Sequence, residues 1–214
     1  MPVVDRVSYL LERAKNKNVL HLGCTDWPLT EGKIKNNALL HAKLGSVAAN
    51  LVGVDYDQEG VNYLVSHGYP ETYKDNVEKF ENTRIREKKY DLIIAGEIIE
   101  HLENPGLFLR AVQTLMNPET ELLITTVNAY CLFRFVRYIL GKEMVHEDHN
   151  YYYSPRVLER LITRCGLHVV DFRYYGIGHE IQHLIPKHFL LLDSFSKMFF
   201  PSASDGVIFS TKRP

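Results

Sequence analysis

The sequence predicts an α/β protein built on a mostly parallel, doubly wound sheet with helices on both faces. Three observations predict it. Short β-prone runs alternate with helical periodicities along all 214 residues. Several of those runs are apolar on both faces, as strands buried between two helix layers must be. No internal repeat, low-complexity tract or linker interrupts the alternation, so residues 1–214 are expected to form a single domain.

The elements follow in order, with helices expected at 3–16, 35–48, 58–67, 104–116, 129–140 and 155–165. Strands are expected at 18–23 (NVLHLG), 50–55 (NLVGVD), 90–96 (YDLIIAG), 121–127 (ELLITTV), 167–175 (LHVVDFRYY) and 206–212 (GVIFSTK), with a weaker one in YPETYKD at 69–75. Right-handed crossovers between parallel strands place the helices on both faces. In such sheets ligands bind beyond the carboxyl ends of the strands.

Composition narrows the function. Lys plus Arg total 25 against 26 Asp plus Glu, a formal charge of −1, which argues against a broad nonspecific grip on nucleic acid. The longest apolar runs are broken by Arg134 and Arg137 and by Asp193 and Lys197, so none reaches the roughly 20 residues of a membrane span. The first residues read as an amphipathic helix without a signal core. Cys24, Cys131 and Cys165 have no zinc or redox spacing and fit a reducing compartment, so a cytoplasmic location is expected.

The residues after each strand carry the chemistry. Gly23, Cys24, Thr25 and Asp26 follow the first, Asp55 and Tyr56 end the second, Asp75 and Asn76 follow the weak third, and Gly96 and Glu97 lead into Ile98, Ile99, Glu100 and His101. A carboxylate ending the second strand suits the two hydroxyls of a ribose, so Asp55 is the ribose candidate. A dinucleotide loop wants G-x-G-x-x-G, but here only Gly23 is present, with Asp26 and Pro28 where a pyrophosphate would need bare backbone. Asp26 would repel pyrophosphate and could accept from an α-ammonium group. Asp55 and Asp75 also have ordinary alternatives, as the cap of the helix near Gln58 and as a turn cap.

The segments VLHLGC, LVGVDYD, YKDNVEKF and YDLIIAGEIIEHLENPGLFLRAV resemble the successive motifs of the class I S-adenosylmethionine-dependent methyltransferases, over roughly residues 15 to 175. The resemblance implies a Rossmann-like, seven-stranded sheet whose last strand is antiparallel, and S-adenosylmethionine as cofactor. It also implies roles: Gly23, Cys24, Thr25 and Asp26 around the methionine, Asp55 with Tyr56 on the ribose, Asp75 and Asn76 at the adenine edge, Gly96 and Glu97 beside the sulfonium. His21 stands where the family usually has an acid, and G-C-T-D-W replaces its glycine-rich loop.

Glu97, Glu100 and His101 lie at i, i+3 and i+4, one face of a helical turn. His101 is the candidate catalytic base, without a metal. E-x-x-E-H with a distant histidine, His149, also resembles the divalent-metal site of small-RNA 2′-O-methyltransferases, and similar segments occur in ubiquinone-type O-methyltransferases. A second pattern, His179-Glu180-Ile181-Gln182-His183, matches the zinc motif H-E-x-x-H, but Gly176, Gly178 and Pro186 bracket it and no third ligand follows. It is expected to cover the cleft, with His179 and His183 near substrate.

Acceptor-side or lid segments are expected at 128–153 and 174–205. Leu132, Phe133, Val136 and Ile139 predict a buried stripe, with Arg134 and Arg137 on another face, solvated or clamping an anion. Tyr151, Tyr152 and Tyr153 cannot all face one way. The apolar segment 188–200 suggests core packing, a homodimer contact or a lipid-linked substrate. The C-terminal segment and motif spacing look like small methyltransferases of sugars or glycan precursors. The expected activity is thus methyl transfer to an oxygen of a small molecule, perhaps-sugar acceptors included. The alternatives are a metal-assisted RNA 2′-O-methyltransferase, a nicotinamide oxidoreductase on the same sheet, and a noncatalytic cofactor-binding module.

Overall fold

The protein is described from a computed structural model, which covers residues 3–143, 145–176 and 199–214. One sheet organises it, in the order β1-β7-β8-β6-β5-β2-β3-β4. The strands are β1 (Val3–Val4), β2 (Asn18–Leu22), β3 (Asn50–Asp55), β4 (Thr72–Lys74), β5 (Leu92–Gly96), β6 (Glu121–Val127), β7 (His168–Tyr175) and β8 (Gly206–Lys212). All neighbouring pairs are parallel except those of β8, which runs antiparallel to both β6 and β7. The expected sheet is therefore present, with one strand more than the seven anticipated.

Strand alternation builds two cores. On β5, Ile93 and Ala95 face one way, packing with Leu20, Leu22, Phe108, Leu109 and Ile162. Leu92 and Ile94 face the other, against Leu10, Ala14, Leu40 and Leu44. The first core lies under α5 (Thr83–Arg86), α6 (Pro105–Gln113) and α8 (Pro155–Arg164), the second under α1 (Arg6–Ala14) and α3 (Leu40–Gly45). Period-two side-chain placement on fully buried strands makes both faces apolar, so each must be covered.

Local chemistry sets several boundaries. The helix expected over 3–16 begins only at Arg6, because Val3 and Val4 pair with Tyr174 and Tyr175 and the Asp5 side chain caps α1 by accepting from the Ser8 amide. The helix expected over 35–48 is two pieces, α2 (Thr30–Lys35) and α3, broken where Asn37 takes a left-handed φ of 51°. Asp57, not Asp55, caps α4 (Gln58–Ser66) by accepting from Gly60 N at 2.7 Å, which leaves Asp55 to the edge of the sheet. α8 follows a Ser-Pro start, the Ser154 hydroxyl accepting from the Val157 amide.

Within the second core, His21 and His41 stack with Nδ1 atoms 3.2 Å apart and ring centroids at 5.4 Å. A methyl group on Gly53 would stand 2.8 Å from both Cys24 Sγ and His41 Cε1, so this glycine makes room for the pair. Burial, helped at His21 by the charge of Arg6 and at His41 by His21, lowers each to about 3. Both rings are therefore neutral at physiological pH, one donating to the other.

No described helix is long and apolar enough to cross a membrane. Cys24, Cys131 and Cys165 are buried and free.

Candidate active site

Two adjoining cavities open beyond the carboxyl ends of β2, β3 and β5, where the sheet rule places a ligand. One, of about 510 Å³, is lined by Asp55, Tyr56, Asn76, Val77, Glu78 and Leu102 among others. The other, of about 460 Å³, is lined by Arg6, His21, Thr25, Asp26, Trp27, Lys33, Gly96 and Glu97 among others. Gly23, Asp55, Ile98 and His101 line both and form their junction.

Gly23 is required there. Its φ of +70° is left-handed, and a Cβ would lie 2.3 Å from Ile98 Cγ2. The amides of Gly23 and Cys24 donate to Val54 O, and that of Thr25 donates to Asp55 Oδ2 at 2.9 Å. These amides are turned into the protein, which bears out the expectation that this loop does not cradle a pyrophosphate.

The expected site residues divide. Asp55 reaches the junction, its Oδ1 accepting from the Asp57 amide at 3.1 Å. Tyr56 is exposed, with Lys74 Nζ 5.7 Å from its ring centroid. Asn76 lines the larger cavity, but Asp75 does not: its carboxylate accepts from the amides of Asn76, Glu81 and Asn82 and braces their loop. Cys24 is likewise turned away, packed with Leu39 and Leu64, and burial pushes its thiol well above the usual range. Asp26 pairs with Lys33 at 3.0 Å.

The Glu97–His101 segment is a turn rather than a helix, and this separates the residues expected on one face. Glu97 adopts a left-handed φ of 55°, and its Oε1 accepts from Tyr175 Oη at 2.7 Å and Thr125 Oγ1 at 2.8 Å. It therefore stands on the side of Arg6, whereas Glu100, His101 and His149 gather on the other, their ligand-type atoms all within 4.8 Å of one another. Glu97 is not a member of that group. Strained backbone at two acidic residues of one cavity, Asp26 and Glu97, is the kind of outlier that functional sites retain.

The cluster is electrostatically unusual. Glu100 is fully buried, and neither carboxylate oxygen meets a well-aligned hydrogen-bond donor. Burial and the neighbouring Glu97 charge push its pKa up to about 8, against the weaker pull of its own backbone, Thr126 and Val127. His149 is lowered to about 4 by burial and by His101 and His146, and its buried Nδ1 has no partner. His101 Nδ1 lies 3.1 Å from Asp148 O, which as a donor leaves Nε2 to accept a proton.

The acceptor side is partly described. α7 (Leu132–Ile139) buries no residue fully: Leu132, Phe133 and Val136 are half-buried and Ile139 is exposed, so the expected buried stripe is incomplete. Arg134 donates weakly to the carbonyls of Asn128 and Asp205 and lies over the Tyr152 ring, so it braces the loop. Of the three tyrosines, Tyr153 is core, Tyr151 donates to Glu103 O, and Tyr152 meets the His149 ring at 5.3 Å. His179 and His183, and most of the segments 174–205 and 188–200, lie outside the described residues.

Sequence reasoning missed Arg6, Tyr175 and Thr125, which close the smaller cavity around Glu97. No local signal marks them, since the contacts span 119 and 78 positions of chain.

Residues 2–171 match the family described as a methyltransferase domain. A ubiquinone biosynthesis O-methyltransferase of Aeromonas salmonicida is 24% identical over 169 residues, covering 72% of this chain and 64% of the relative. The chain thus spans less than two thirds of that relative's length. Among solved structures, a methyltransferase of Archaeoglobus fulgidus superposes with a TM-score of 0.60 at 13% identity, covering 97% of this chain and 94% of that one. The small RNA methyltransferase HEN1 superposes at 0.63 and 18% identity, covering 97% of this chain and 25% of that one. At these identities the superpositions establish the shared fold alone.

Proposed function

This chain belongs to the methyltransferase domain family, the class I S-adenosylmethionine-dependent type, and on that premise we propose that it transfers a methyl group from S-adenosylmethionine to an oxygen of a small molecule, with His101 as base. The observation that carries this reading is the place of His101 at the junction of the two cavities, its Nδ1 held by Asp148 O. The nucleoside would occupy the larger cavity, its ribose hydroxyls on Asp55 and its adenine by Tyr56 and Asn76. The methionine end would occupy the smaller one, beside Gly23, Thr25, Asp26, Gly96 and Glu97.

Methyl transfer is an in-line displacement. The acceptor oxygen forms a bond to the methyl carbon as the carbon–sulfur bond breaks, its electron pair going to sulfur to leave neutral S-adenosylhomocysteine. The hydroxyl proton passes to His101 Nε2. What the chain supplies is alignment of the two reactants and removal of that proton.

The name of the curated relative supports an oxygen acceptor and does not favour a sugar. RNA as acceptor draws support from fold likeness only.

A second reading has a specific observation behind it. The buried, poorly satisfied carboxylate of Glu100 beside His101 and the unpartnered Nδ1 of His149 fit a divalent cation, which would satisfy all three and place the chain in an E-x-x-E-H subgroup. Such an ion, when bound, would polarise an acceptor hydroxyl and lower its pKa.

One assay tests both readings. Supplied with methyl-labelled S-adenosylmethionine and a panel of phenols, alcohols and amines, the protein is expected to place label on oxygen. Label found solely on nitrogen would contradict the reading. With a chelator present, unchanged turnover leaves His101 acting without metal, whereas loss that is restored by added divalent cation assigns the ion to Glu100, His101 and His149.

A further inference from the structure

We propose that Arg6, at the start of α1, recognises the α-carboxylate of the methyl donor and, with Glu97, reads the donor's zwitterionic amino-acid end. The inference rests on the donor cleft proposed above and adds to it a residue from a distant part of the chain.

The smaller cavity is bordered by two oppositely charged pairs. Lys33 and Asp26 are engaged with each other at 3.0 Å. Arg6 Nη1 and Glu97 Oε1 stand 3.9 Å apart, with Arg6 Nη1 3.4 Å from Thr125 Oγ1 and the guanidinium 5.8 Å from the centroid of the Tyr175 ring. This second pair is too long for a direct hydrogen bond, yet each member is held by the protein. Two donors, Tyr175 and Thr125, converge on one oxygen of Glu97 and fix its carboxylate. Both side chains of the pair are about a quarter to a third exposed, 26% and 30%, so they reach the cavity.

An α-amino acid presents an ammonium and a carboxylate on one carbon, and a cation and an anion held close but not joined match it with opposite polarity. Arg6 suits the carboxylate because a guanidinium offers planar, paired donors. His21, buried and neutral on the wall of the same cavity, contributes no charge, so the ammonium falls to Glu97. Arg6 reaches this place only because β1 pairs with the end of β7: Val3 and Val4 lie beside Tyr174 and Tyr175, which sets the start of α1 against Glu97.

Binding separates this role from a merely structural one. Calorimetric affinities of wild type and Arg6→Gln are compared for S-adenosylhomocysteine and for 5′-methylthioadenosine, the same nucleoside thioether without the amino-acid end. Losing charge-assisted hydrogen bonds is expected to weaken S-adenosylhomocysteine by roughly 10- to 100-fold. Methylthioadenosine should stay within about twofold, and Arg6→Lys should recover part of the loss. Equal weakening of both ligands, or no weakening of either, would overturn the assignment. If wild type binds methylthioadenosine but not S-adenosylhomocysteine, the carboxylate role falls while the nucleoside site stands. Binding of neither by wild type would overturn the donor cleft itself, and Arg6's role with it.

Discussion

Replacing His101 by alanine is expected to lower the rate of methyl transfer to a hydroxyl acceptor by roughly 10²- to 10⁴-fold, the usual contribution of a positioned base. Donor affinity should change little, because the histidine's main structural ties survive: Asn150 Nδ2 donates to the backbone carbonyl of residue 101 at 2.8 Å, whatever side chain it carries. Only the Nδ1 contact to Asp148 O is lost. A base at this position also predicts partial rescue of the variant by free imidazole and a loss that shrinks as pH rises, since hydroxide and ionised acceptor then replace it. A variant turning over at the wild-type rate would remove His101 from the chemistry. A variant that loses donor affinity and turnover together would make it a binding residue.

The second large effect concerns acid stability. His21 and His41 have folded pKa values lowered to about 3 from 6.5, so the folded state resists their protonation and the unfolded state does not. Their contribution is intact above about pH 6.5 and is lost as pH falls toward 3, by about 1.4 kcal/mol per pH unit for each ring. Glu100 acts with the opposite sign: raised to about 8 from 4.5, it contributes stability that is full below pH 4.5 and is lost as pH rises through 8. Between pH 6.5 and 4.5 it offsets roughly one histidine. Below 4.5 nothing of that kind remains, and the two rings together cost about 3 kcal/mol per pH unit down to pH 3. Denaturant unfolding of wild type should therefore steepen in pH dependence below 4.5, and in His21→Val/His41→Leu it should be shallower by about that amount. An unchanged slope in the double variant would show that the pair is not what makes the fold acid-sensitive.

Much of this was legible in the sequence because it is local or periodic. Doubly apolar strands such as LIIAG announce a covered parallel sheet, and the polar residues that follow them mark the binding edge; Gly23, Asp55, Asn76 and His101 all line it. What was misread depended on neighbours that the spacing does not show. Asp75 has the right position for an adenine contact, but three backbone amides of the following loop take its carboxylate. Glu97, Glu100 and His101 have helical spacing, yet the left-handed φ of Glu97 turns it toward Tyr175 and Thr125. His21 looked like a departure at a single position, while its meaning lies in His41 stacked across from it. Arg6 sat in what read as one amphipathic helix, and a two-residue strand, too short for any pattern, is what delivers it to the cavity.

The central claim is that the cleft at this edge takes S-adenosylmethionine, and thermal unfolding with candidate ligands tests it most directly. S-adenosylhomocysteine at 100 times its Kd should stabilise the protein by about 2.7 kcal/mol, with NAD at the same concentration giving no shift. Stabilisation by NAD and none by S-adenosylhomocysteine would contradict it.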